Sequence, residues 1–169
     1  MNTIHIQYIT IKSIDLILGT YEGKLCLLDY RYRVKRDTID KRIQTALKAE
    51  YKIQDDEILQ KVKVQLQEYF QNKREIFDIP LFLVGSEFQK SVWNALLKIP
   101  YGETRTYKQQ ALLIGNEKAV RAVANANGAN AISIIIPCHR IIGTNGKLTG
   151  YAGGLDIKEM LLNCEQKEE

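Results

Sequence analysis

The chain has 169 residues, 45% of them hydrophobic, with 24 Lys/Arg against 20 Asp/Glu and a formal net charge of +4. This is enough for one or two compact domains, and it permits nucleic-acid binding without demanding it. Three cysteines without a C-x-x-C pair argue against a disulfide framework. No apolar run approaches the roughly 20 residues that span a bilayer, so the expectation is a soluble cytoplasmic protein without a membrane partner.

Residues 3–34 read as strands. Two apolar segments flank the stretch TYEG, where Gly23 supplies turn freedom. Residues 38–50 and 57–72 have helical spacing; in the second, Leu59, Val62, Leu66, Tyr69 and Phe70 recur every three or four positions. Residues 76–85 are extended, because Pro80 disfavours a helix interior. The result is a small α+β unit. Nothing in residues 1–75 points to chemistry, and His5 and Cys26 read as ordinary strand residues.

The texture changes near Gly85. Ser86 and Gln89 fit a capping box, and Phe88, Val92, Trp93, Leu96 and Leu97 form an apolar stripe that stops before Pro100. Thr106 and Gln109 make a second box ahead of a short helix that ends at Gly115. Asn116 is placed to cap a further helix, which ends at Gly128. Two short helices joined by a glycine turn outline a helix-turn-helix, although the same outline describes any packed helix pair. The second helix carries Arg121 among small residues, Ala119, Ala122, Ala124 and Ala126. Residues 132–136, ISIII, read as a strand that Pro137 closes. Asn145-Gly146 marks a turn in a glycine-dense stretch. The last helix begins near Asp156, with Ile157, Met160, Leu161 and Cys164 on one side, and the tail after it reads as loose.

Cys138 stands immediately after the apolar run, followed by His139 and Arg140. Three readings are open: a packed thiol, a metal ligand, or a nucleophile. A structural zinc site needs patterned ligand pairs, and His5, Cys26, Cys138, His139 and Cys164 supply no second pair. A nucleophile needs a thiolate and a nearby base. His139 is adjacent, but neighbours on a strand face opposite ways, so a dyad requires a turn at Pro137-Cys138 or a bridging water. Glu165 can orient the imidazole if the last helix packs back.

The stretches IIIPCHRIIG, TGYAGG and KEMLLNCE, with FQKSVWNALLKIPYGETRTY and KAVRAVANANGAN, resemble the O6-alkylguanine-DNA alkyltransferase family, also called methylated-DNA-protein-cysteine methyltransferases. The specific match covers about residues 86–165. The resemblance implies an α+β chain: an amino-terminal α/β domain over 1–80, an antiparallel sheet with helices of RNase H-like type, then a mostly helical domain over 86–169 that binds DNA and accepts the alkyl group. It implies a single-use repair protein that flips O6-alkylguanine, and by extension O4-alkylthymine, out of duplex DNA and moves the alkyl group to Cys138. His139 would be the base acting through water, held by Glu165. Asn130 would hold the turn before the active-site strand. Tyr107 would contact phosphate and protonate the leaving base. Arg121 would fill the gap in the stack, Ala119 and Ala122 would allow close approach to the minor groove, and Lys118 would contact phosphate. Tyr151, Ala152, Gly153 and Gly154 would shape the base pocket. No metal or organic cofactor is implied, and the protein would act as a monomer.

Three positions depart from the family pattern. Ala131 and Glu117 stand where proline is common, and Ala152 where some members have serine. None removes the chemistry, although Glu117 would repel a nearby phosphate. Two other classes of function compete: a non-catalytic lesion sensor or transcription regulator using the same helix-turn-helix, and a cysteine hydrolase. Cys164 and Cys26 read as core thiols.

Overall fold

Each of the first two strand connections is a two-residue turn with both residues at positive φ. Lys12 and Ser13 make one (52° and 63°), Glu22 and Gly23 the other (50° and 77°). Turns of this hand match the twist of the strands they join. They fold the chain into an antiparallel meander of β1 (Asn2–Ile11), β2 (Ile14–Tyr21) and β3 (Lys24–Tyr30). The computed structural model describes residues 2–166, which divide into two compact units that part between Val84 and Gly85.

In the first unit, α1 (Arg36–Leu47) carries the chain to β4 (Ala49–Ile53), which pairs parallel to β1. The sheet order is β3-β2-β1-β4. This corrects two expectations. The helix does not run to residue 50, because Lys48 turns at φ 49°, and the fourth strand makes the sheet mixed rather than antiparallel. β4 escapes the hydrophobic pattern because it is a short edge strand in which Ala49 alone is buried. α2 (Glu57–Phe70) buries the expected stripe of Leu59, Val62, Leu66, Tyr69 and Phe70. Residues 80–82 extend along β3: Leu25 N donates to Pro80 O and Phe82 N to Leu25 O, both at 2.8 Å.

Asp56 joins the sheet to α2. One oxygen caps the helix by accepting from Leu59 N at 2.8 Å. The other accepts from the Thr20 hydroxyl and bonds His5 Nδ1 at 2.9 Å. Partial burial would raise the carboxyl pKa, but these hydrogen bonds win and hold it below its usual range.

The second unit is mostly helical. α3 (Glu87–Leu96) and α4 (Tyr107–Leu113) both start at the expected capping boxes. β5 (Arg105–Thr106) precedes α4, and α5 (Val120–Gly128) follows it. Trp93, 2% exposed, donates its indole N–H to Ala126 O at 2.9 Å, which fastens α3 to α5. Gln110 and Asn127 exchange two buried amide hydrogen bonds of 2.7 and 2.8 Å between α4 and α5. Apolar contacts tolerate small slides, whereas a matched amide pair loses both bonds if either helix rotates. The helix pair is therefore set in one register.

Two expectations in this unit are corrected. α5 starts at Val120 rather than beside Asn116, whose side chain does not cap it; Asn116 closes the preceding turn through its carbonyl, which accepts from Ala119 N at 3.1 Å. Residues 132–136 do not form a strand. Ile134 sits at φ 71°, Ile135 N bonds Ser133 O at 2.8 Å, and Ile136 N bonds Ile132 O at 3.0 Å, so the segment coils. All five side chains are buried. β-branched residues favour strands where a partner strand is present, and here burial decides instead. β6 (Ile141–Ile142) pairs parallel with β5, and α6 (Leu155–Glu165) closes the unit. Most of the expected loose tail, residues 167–169, lies outside the described residues.

Replacing Asp56 with alanine removes a cap and two cross-links. Urea unfolding followed by circular dichroism should show a loss of about 2 kcal/mol from the amino-terminal unit.

Candidate active site

Pro137 is followed by a single 3₁₀ turn, Cys138–Arg140. Cys138 N bonds Ile136 O at 2.8 Å and Arg140 N bonds Pro137 O at 3.0 Å. The turn releases Cys138 and His139 from the alternation of a strand, which is the condition for their acting together. Cys138 is 7% exposed and His139 fully buried. Asn130 spans the coil before them. Its Oδ1 accepts from Ile132 N at 2.9 Å, and its Nδ2 donates to Ile136 O at 2.9 Å and approaches Cys138 Sγ at 3.4 Å.

Behind the cysteine lies a buried ionic cluster. His139 Nε2 bonds Glu165 Oε2 at 2.7 Å. Arg140 grips the same carboxylate, Nε to Oε1 at 2.8 Å and Nη2 to Oε2 at 3.1 Å, and its Nη1 donates to Ile99 O at 2.7 Å. Burial alone would raise the Glu165 pKa. The hydrogen bonds and the charge of its partners outweigh that and hold it at about 2. Arg140 is the constant partner, because it stays charged when the imidazole is neutral. Burial lowers the His139 pKa against the pull of Glu165, so the ring rests neutral. Its Nδ1 is buried without a hydrogen-bond partner among the described residues. A neutral imidazole with one nitrogen fixed by a carboxylate and the other free is arranged to accept a proton.

The last helix supplies this cluster differently from the expected apolar stripe. The residues α6 buries are Lys158, Leu161 and Glu165, while Ile157, Met160 and Cys164 are half-buried. Two of the three buried side chains are charged, and each has a partner. Lys158, fully buried, donates from Nζ to Thr149 O at 3.1 Å. Burial lowers its pKa, and a charge on Cys138 raises it, so the ammonium and the thiolate favour each other.

The β5–β6 pairing sets Arg105 opposite Ile141 and Thr106 opposite Ile142. Tyr107, the next residue, reaches Thr149 with its hydroxyl, Oη to Oγ1 at 2.8 Å. Tyr151 stands edge-on to His139, ring centroids 6.5 Å apart. Gly154, at φ 93°, donates its N–H to Tyr151 O at 3.0 Å, so that donor is already used. Ala152 and Gly153 are half-buried beside it. Lys118, Arg121 and Ala122 are exposed and Ala119 is half-buried, all at the start of α5. Asn130, Cys138, His139 and Glu165 are thus brought together, with Tyr151 at the imidazole edge and Tyr107 tied to the same loop.

Three residues of the site were not assigned from sequence: Arg140, Lys158 and Thr149. Arg140 lies within the motif, but as the residue following Cys138 and His139 it receives no role of its own from sequence. Lys158 shares a helical face with Leu161 and Glu165, and that i, i+3, i+7 spacing is the signal that could have found it. Thr149 opens the stretch TGYAGG, but nothing in its local spacing points to Tyr107. Of the other cysteines, Cys26 bonds Gly19 O at 3.6 Å and burial pushes its thiol up to about 12. Cys164 is half-buried on α6, and its carbonyl accepts from the Tyr101 hydroxyl at 3.1 Å. No cluster of three or more His, Cys, Asp or Glu fit to hold a metal ion occurs among the described residues, nor does a helix long and apolar enough to cross a membrane.

Two family profiles match the chain. Residues 87–167 match the DNA-binding domain of 6-O-methylguanine DNA methyltransferase, and residues 24–83 its ribonuclease-like domain. The constitutive methylated-DNA-protein-cysteine methyltransferase of Bacillus subtilis is 43% identical over 153 residues, 90% of this chain and 89% of that protein. This chain belongs to the methylated-DNA-protein-cysteine methyltransferase family. A second methyltransferase of that name, from Methanosarcina acetivorans, is 58% identical over 113 residues, 67% of this chain and 72% of its own. Among solved structures, the Mycobacterium tuberculosis O6-methylguanine methyltransferase superposes with a TM-score of 0.82 at 38% identity, over 97% of this chain and 93% of that one. A structure of the mycobacterial protein in complex with DNA gives 0.82 at 39% identity, over 96% and 92%.

The ionic cluster sets an acid limit on this methyltransferase. Glu165 has a depressed folded pKa, so its stabilisation is complete above pH 4.5 and is lost as pH falls toward about 2. His139 acts in the same direction from pH 6.5 downward, because folding favours the neutral ring. Unfolding free energy measured against pH should fall through these windows, by about 3 kcal/mol for Glu165. Glu165→Gln should start less stable and lose the lower part of the slope.

Proposed function

We propose that this methyltransferase repairs alkylated DNA by accepting the alkyl group on Cys138 and is spent by the reaction. The DNA-repair activity and the cysteine acceptor follow from the family; the choice of Cys138 rests on the geometry. The observation that carries it is the arrangement behind that thiol: Asn130 at the sulfur and, one residue on, a neutral imidazole locked by a carboxylate that an arginine keeps ionised. Neither Cys26 nor Cys164 has a comparable setting.

The chemistry follows from the groups present. The thiol proton passes through water to His139 Nδ1. Sulfur attacks the alkyl carbon, the bond from that carbon to O6 of guanine breaks, and a thioether forms. Tyr107 gives its phenol proton to the ring of the departing base, which leaves neutral. No group here hydrolyses a thioether, so each molecule acts once. The target atom is inaccessible in a stacked duplex, so the nucleotide must be extruded first. Arg121 is exposed on α5 next to the small residue Ala122, with Lys118 and Ala119 one turn before. That face suits close approach to a minor groove, with the guanidinium entering the stack and Lys118 meeting phosphate. Tyr151 and the backbone of Ala152 and Gly153 would border the extruded base. On this reading the protein acts as a monomer, and O4-alkylthymine is a second substrate on the same chemistry.

The deciding measurement is intact mass after incubation with excess duplex carrying O6-methylguanine. One added methyl group, about 14 Da, should map to Cys138 and be absent from Cys138→Ala. A folded, unmodified protein that still binds the duplex would overturn the reading in favour of a lesion sensor. Repeated product formation without an adduct would favour a hydrolase. For Arg121→Ala, the rate of transfer from duplex relative to transfer from the free alkylated base should fall by about tenfold or more, because extrusion loses its plug. Duplex binding should weaken steeply with salt.

A further inference from the structure

We propose that Thr149 is a positioning residue for alkyl transfer: its hydroxyl donates to the phenol oxygen of Tyr107, freeing the phenol proton for the departing base and steadying the phenolate left behind. The proposal rests on the reading of Tyr107 as the proton donor.

The geometry points there from both sides. Tyr107 is the first residue of α4, and its backbone is fixed by the Thr106/Gln109 capping box just before it. Thr149 lies in the loop after β6, and its carbonyl is held at 3.1 Å by the ammonium of Lys158, a side chain with no exposed surface. The loop is closed upon itself on either side of Thr149, by Gly143 N to Lys147 O at 2.9 Å and by Gly154 N to Tyr151 O at 3.0 Å. The two hydroxyls therefore meet at 2.8 Å between anchored backbones. Lys158 also interacts electrostatically with Cys138, so one buried cation bears on both the thiol and the residue that aims the tyrosine.

Either hydroxyl can donate in the resting protein, but one direction is productive. A phenol that gives its proton to the base cannot also give it to Thr149. With Thr149 as donor, the Tyr107 O–H bond breaks and an N–H bond forms on the ring of the leaving base. In the same step the alkyl carbon–O6 bond breaks and the S–C bond forms. Thr149 keeps its own proton throughout, and its hydrogen bond strengthens as charge grows on the phenol oxygen. Solvent reprotonates Tyr107 after the base has left.

The test is the single-turnover rate of methyl transfer from O6-methylguanine duplex, measured beside duplex affinity. Thr149→Val keeps the shape and removes the hydroxyl; it should slow transfer by about five- to tenfold with affinity within about twofold. Thr149→Ser should restore most of the lost rate. In a Tyr107→Phe background the valine should add less than about twofold, because the two hydroxyls act through one path. The proposal is overturned if Thr149→Val transfers at the wild-type rate while Tyr107→Phe is slow, if valine slows both backgrounds equally, or if serine fails to restore the rate. A wild-type rate in Tyr107→Phe would instead overturn the reading of Tyr107 itself, and this proposal with it.

Discussion

A buried carboxylate with one partner would be a weak foundation, since desolvation pushes it toward its neutral form. Glu165 has two, and the rest of the site depends on that sharing. Arg140 grips both oxygens and keeps the charge in place, while Oε2 also fixes the imidazole without requiring it to be protonated. The same three side chains join segments far apart in the chain: the end of α6, the 3₁₀ turn, and, through Ile99, the stretch after α3. Loss of one partner would strand the others in a dry interior, so the cluster fixes its own geometry. The orientation of Cys138 follows from that of the turn it starts.

The same logic recurs away from the thiol. Gln110 and Asn127 set α4 against α5 by a reciprocal amide pair, and Trp93 sets α3 against α5 through one indole N–H. Small and apolar side chains fill the space between these helices, but polar pairs decide their rotation. That rotation is what leaves Lys118, Arg121 and Ala122 outward. In the first unit Asp56 has a comparable part, capping α2 while holding two strands. None of these three residues is among those of the proposed chemistry.

Function then rests on contrast. The thiol, imidazole and carboxylate are buried and fixed, whereas Arg121 is exposed and Tyr107 half-buried, tied through one hydroxyl pair to a loop. Groups that must be aligned before the lesion arrives are locked by hydrogen bonds. Groups proposed to meet the duplex stay accessible. A reaction that happens once has no need to regenerate the thiol.

Much was legible from local pattern. Both capping boxes, the stripe of α2, the turn at Gly23 and the helix-turn-helix outline are properties of short stretches, and short-range physics is enough to read them. Cys138, His139 and Glu165 stood out because their residue types and order are chemically unusual together. What sequence could not supply was anything settled by a distant partner. β4 is a strand because β1 offers it an edge; residues 132–136 coil, against their β-branched character, because Ile134 turns to positive φ and Asn130 holds both ends of the coil. The parts of Arg140, Lys158 and Thr149 emerge only when α6 folds back, burying Arg140 and Lys158 and tying Lys158 to Thr149. The sequence by itself determined which atoms can react and where helices begin. The tertiary structure alone decided which charges are buried and which hydroxyls meet, because desolvation and hydrogen-bond direction exist only once distant segments are packed together.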